Sequence, residues 1–142
     1  MRLALPLLVL LALAGCGRHG VPLTREQLAT VQRAVDSCTA ASARLTPYLK
    51  TKDHAGAQTA AIDARNGCSV ARGDVVKAVG TGSRLDACYF AIDRQEAAQV
   101  AELRSLDDPT LDNGRAVLAA LDDAIRQGGA CTTAIHDAAQ GG

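Results

Sequence analysis

The sequence predicts an all-α chain, folded as an antiparallel four-helix up-down bundle stapled by two disulfides. Three observations carry this expectation. Apolar residues recur at spacings of three and four through long stretches separated by turn-forming residues. No stretch alternates apolar and polar residues with β-branched side chains, and no turn joins two such runs into a hairpin. Cys38, Cys68, Cys88 and Cys131 lie in two pairs, each symmetrical about a predicted turn. The composition agrees: the chain is rich in Ala, the best helix former, and its only aromatic residues are Tyr48, Tyr89 and Phe90.

In chain order, the first element is an export segment rather than part of the fold. Arg2 supplies a positive start, and Leu3 to Ala14 is apolar apart from Pro6. That run is too short to cross a hydrocarbon core of about 30 Å and reads as a signal peptide over residues 1–15. It ends in Leu13-Ala14-Gly15-Cys16. These four residues resemble the lipobox of bacterial lipoprotein signal peptides. The resemblance implies cleavage before Cys16, a diacylglycerol thioether on its sulfur and acylation (palmitate) of the freed amine. Two or more acyl chains anchor a protein stably to a membrane. The same resemblance implies a bacterial envelope protein on the periplasmic side. Gly17, where an Asp would favour the inner membrane, inclines it to the outer one. Residues 16–23 lack periodicity and read as a lipidated tether, and residues 24–139 as the bundle.

The first helix opens at Thr24, an N-cap with Gln27 as its capping-box partner and Leu23 and Leu28 at the staple positions. Its apolar stripe is Leu28, Val31, Val35, Cys38, Leu45 and Leu49, with Pro47 expected to kink or end it. A turn is expected over Lys50 to Asp53. The second helix spans Asp53 to Val79, with the stripe Ala57, Ala61, Ala64, Cys68, Ala71, Val75 and Ala78. Gly67 and Gly73 each weaken it by about 0.5–1 kcal/mol. After Gly80-Thr81-Gly82, Ser83 caps the third helix, with Asp86 at the third position. Its face is Leu85, Cys88, Tyr89, Ile92, Val100 and Leu103. Asp107-Asp108-Pro109 opens the fourth helix, with the acids favoured at a helix N-terminus and Pro pre-set for the first turn. Leu111, Leu118, Leu121, Ile125, Cys131 and Ile135 line it, and Gly128-Gly129 is a point of division.

Setting Cys16 aside for lipid leaves four cysteines, which an oxidising compartment pairs as disulfides. In an up-down bundle, residues equidistant from a turn stand at equal height. Cys38 and Cys68 are centred on the first turn, and Cys88 and Cys131 on the third. Cys68 with Cys88 is off-centre by about three residues, a height mismatch of roughly 9 Å, beyond a bridge's reach. The expected pairs are therefore Cys38–Cys68 and Cys88–Cys131.

The charge balance excludes a strongly basic surface. With 15 Lys and Arg against 15 Asp and Glu, there is no field to attract nucleic acid. After the signal, about 127 residues remain, enough for one domain with its own core. His19, His54 and His136 have no nucleophile or acid placed against them by any motif. Ser37, Ser42 and Ser69 carry no nucleophile elbow. Asp122 and Asp123 are neighbours on a helix, so they point apart and do not clamp one ion. The expectation is a non-enzyme with no catalytic residues, no metal and no cofactor. Its partners are the membrane, through the anchor, and another envelope protein. Tyr89 and Phe90 are the candidate binding residues, because neighbours on a helix diverge by about 100° and one ring must face outward. Two other readings are a small-ligand or metal carrier using the bundle interior, and a phage-type lysis or envelope-spacer lipoprotein.

Overall fold

The computed structural model describes residues 22–141; the signal segment, the lipobox with Cys16 and most of the tether lie outside the described residues. It contains five helices and, among the described residues, no strand: α1 (Arg25–Ala43), α2 (Thr46–Thr51), α3 (His54–Val79), α4 (Asp86–Asp107) and α5 (Leu111–Gln140).

The start of α1 follows from its local sequence. Thr24 accepts a hydrogen bond from the Gln27 amide, and the Gln27 side chain accepts one from the Thr24 amide, so two orphan donors are satisfied. Leu23 and Leu28 both pack on the core. Gln27 Nε2 also donates to the Ala78 carbonyl at 2.8 Å, tying the start of α1 to the end of α3.

Pro47 ends α1 rather than kinking it. Its ring clashes with the carbonyl four residues back, that of Ala43, which is the last residue of α1. A separate short helix, α2, then forms with Pro47 in its first turn. Leu45 therefore belongs to this junction, not to the α1 stripe, and Leu49 is half exposed. Lys52 stops α2 in the left-handed conformation at φ 57°, with the Asp53 amide donating back to the Tyr48 carbonyl. Asp53 then caps α3 by accepting from the Gly56 amide.

Gly80 and Gly82, both at φ 73°, make the turn into α4, a conformation other residues adopt only with strain. Ser83 does not cap the helix as expected: Asp86 accepts from the Ser83 amide, but Ser83 Oγ accepts from the Leu85 amide and not from that of Asp86. They shape the turn just before α4, whose N-cap is Leu85 and first residue Asp86, each two later than the sequence suggests.

The opening of α5 corrects a second expectation. Pro109 lies outside the helix, and Thr110 is the N-cap, accepting from the Asn113 amide. Asp107 and Asp108 end α4 instead of starting α5. Asp107 accepts from Gln58 Nε2, and Asn113 Nδ2 donates to the Asp108 carbonyl. Nor does Gly128-Gly129 divide α5, which runs unbroken to Gln140.

The long helices pack as a bundle: α1 against α3, α3 against α4, α4 against α5, with smaller contacts of α1 to α4 and α5. The main core holds Val31, Val75, Leu85 and Ile92 together with all four described cysteines. Cys38 is bonded to Cys68 and Cys88 to Cys131. A second small cluster, Leu45 with Ala57, Ala60 and Ala61, is covered by Leu103 and Leu106.

Candidate functional site

Cys88 and Ile92 of α4, with Leu85 just before it, are fully buried and turn that side of the helix inward. That placement fixes where the two aromatic neighbours point. Tyr89 is partly buried against the core, while Phe90, one residue on, is 46% exposed. The rings meet edge to face, with centroids 5.5 Å apart and planes at 85°. From α3, the Arg72 guanidinium lies over the Tyr89 ring, 5.9 Å from its centroid, in a cation–π contact.

Arg72 is also held by acids of α4. Its Nη1 donates to Asp93 Oδ1 at 2.6 Å and lies 3.2 Å from Glu96 Oε2, a charge contact without hydrogen-bond alignment. One cation against two carboxylates leaves this seam with net negative charge beside a half-exposed ring. An apolar ring with an ordered polar rim is the arrangement of protein interface hot spots.

The other expected site residues divide in two. Cys16 lies outside the described residues. Cys38, Cys68, Cys88 and Cys131 are each at most 1% exposed, so they are structural. His54 is exposed at the start of α3, and His136 Nε2 is 2.8 Å from Gln140 Nε2 on the surface of α5. Asp122 and Asp123 both pair with Arg126, and Asp123 also lies 3.2 Å from Arg94 of α4. Among the described residues no three His, Cys, Asp or Glu side chains are grouped as for a metal ion.

Four polar residues of α4 are not marked by the apolar periodicity of the sequence. Gln99 is 1% exposed, and its Oε1 has no hydrogen-bond partner. Glu102 Oε2 is likewise buried and unpartnered, and burial raises the Glu102 pKa by penalising the charged form. Asp93 and Glu96 are the other two, through their contacts with Arg72. A signal for Gln99 was present: it follows Leu85 and Ile92 at steps of seven, a spacing that keeps one helix face. Its polar side chain hides it from an apolar pattern.

The surface grooves are open. One groove, of about 410 Å³, lies between α2 and the start of α3 and is lined by Arg44, Tyr48, Asp53, Gly56, Thr59 and Asp63 among others. No helix among the described residues is long and apolar enough to cross a membrane. The fold and this seam define an all-helical, disulfide-stapled domain with aromatic surface on α4. Comparison with protein-family models, curated proteins and solved structures finds no match to the chain.

Proposed function

We propose that this chain is a lipid-anchored, non-enzymatic interaction module of the bacterial cell envelope, with helices running up and down in chain order on the periplasmic side. The observation that carries the reading is Phe90, held half exposed by its packing on Tyr89 while so few aromatics exist to spend on a surface. Apolar side chains exposed together mark interaction sites. The partner that fits is another envelope protein meeting the α3–α4 seam through Phe90, Tyr89 and the acids around Arg72. The antiparallel order is supported by the pairs between α3 and α4: residue 72 meets 93, while residue 58 meets 107. As one index falls the other rises. Anchoring rests on the lipobox resemblance at Leu13-Ala14-Gly15-Cys16.

Two measurements test the two halves of this reading. Labelled palmitate is expected to enter the wild-type chain and not Cys16→Ser; a variant that still labels and stays membrane-bound overturns the anchor. Phe90→Ala is expected to weaken partner capture from detergent-solubilised membranes by about tenfold or more, as for an interface hot spot. Its Tm should stay within a few degrees. Undiminished capture overturns the site.

A further inference from the structure

We propose that α5 pairs with α5 of a second copy of this chain, the two helices running antiparallel about a twofold axis at Leu118. The sequence places Leu111, Leu118 and Ile125 among the core-lining residues of the last helix. In the structure they are 72%, 69% and 74% exposed, the most exposed large apolar side chains of the described residues. The core side of α5 is carried by the buried small residues Ala124 and Cys131, with Ile135 partly buried against the core. A helix turns almost twice in seven residues, so steps of seven keep the three exposed side chains in one stripe. They stand about 10 Å apart along it. Such a stripe at heptad spacing is half of a helix–helix seam.

The charges beside the stripe select the occupant. Along the exposed side of α5 the order is Asp112, Arg115, Leu118, Asp122, Arg126: acid, base, apolar, acid, base. Turned end for end about Leu118, this order is its own complement. Arg115 comes opposite the partner's residue 121, about 1.5 Å in height from the partner's Asp122, and Asp112 opposite residue 124, about 3 Å from the partner's Arg126. Leu111 meets the partner's Ile125, and Leu118 meets its own counterpart. This is the self-complementary patch that a twofold dimer requires. In a parallel, in-register pair these groups, which all flank the stripe on one side, would fall on opposite sides of the seam from their counterparts and form no such pairs. Within α5 the pairs Arg115 to Asp112 at 3.5 Å and Arg126 to Asp122 at 3.9 Å are exposed, while Arg126 also bonds to the less exposed Asp123. Exposed pairs contribute little and exchange readily for pairs across a dimer.

Cysteine crosslinking of the full chain in cell membranes tests the pairing. Leu118→Cys, on the axis, is expected to give a covalent dimer under mild oxidation. Thr133→Cys is on the same exposed side of α5 but fifteen residues along. Its two copies would stand about 45 Å apart in the antiparallel pair and are expected not to link. In the Leu118→Cys background, Arg115→Asp is expected to cut the dimer yield about tenfold, as loss of complementary charge at both symmetric positions should. Adding Asp122→Arg is expected to restore it. Because residue 118 faces solvent, circular dichroism and Tm of Leu118→Cys should match the wild type. Equal linking at both positions, no homodimer at residue 118, a crosslink to a protein of different mass or no rescue by the double charge exchange would each overturn the proposal.

Discussion

Glu102 sits on α4 with one carboxylate oxygen buried and unpartnered. Removing water from the charged form raises its pKa in the folded chain. A raised carboxyl pKa means that the folded state holds the proton more tightly than the unfolded state. The stability tied to that proton is present at low pH and is lost as pH rises through the folded value. At neutral pH Glu102 therefore weakens the fold. Glu102→Gln, neutral and of the same shape, is expected to raise Tm at pH 7 by about 1–3 °C. The gain should shrink at about pH 4, where the unfolded carboxyl also takes up protons. Thermal melts at the two pH values check this; an equal gain at both would place the effect elsewhere. Gln99 belongs to the same face of α4, and neither residue was legible as buried. Periodicity marks which positions share a face, while a polar residue at such a position reads as solvent-facing until its neighbours are known.

At the scale of elements, the local signals located the starts of α1 and α3 but not those of α4 and α5. Thr24 with Gln27 and Asp53 with Gly56 act within one turn of chain, so the sequence contains both partners. Thr110 does the same for α5 but was overshadowed by Pro109, which precedes it. Two glycines of α3 separate local preference from packing. At Gly73 an added Cβ would meet nothing within 4 Å, so Gly73→Ala removes only the backbone-entropy penalty. It is expected to stabilise by about 0.5–1 kcal/mol. At Gly56 the same Cβ would run into the Tyr48 ring and the Asp53 carboxylate, so Gly56→Ala should destabilise despite the better helix propensity. Urea melts of the two variants are expected to move in opposite directions; the same sign for both would mean that the Tyr48 ring moves freely away.

For the whole molecule, the core explains the staples. The side chains that are fully buried and larger than Ala are few: Leu85, Ile92, Gln99, Val31, Val75 and the cysteines. Alanine buries little apolar area, so the helices gain little from packing alone. The disulfides close separations of 30 and 43 residues. By the chain-entropy relation these contribute about 3.5–4 kcal/mol each. Cys88→Ser with Cys131→Ser is expected to lose about that much in a urea melt, several times the effect of either glycine change. A loss under about 1 kcal/mol would show that the unfolded chain is already restricted by other means.

What the sequence by itself determined is what depends on near neighbours or on simple symmetry along the chain. The helical class follows from period and composition, and the starts of α1 and α3 from their caps. The pairs Cys38–Cys68 and Cys88–Cys131 follow because equal distance from a turn sets equal height on neighbouring helices. Tertiary structure alone decided which face of each helix is covered. In α5 the large residues Leu111, Leu118 and Ile125 point to water while Ala124 and Cys131 face α4. Periodicity identifies a stripe but not what lies against it. The cystine bond to Cys88 turns the Cys131 side of α5 inward, with Ile135 partly buried against the core, and that rotation leaves Leu111, Leu118 and Ile125 outside.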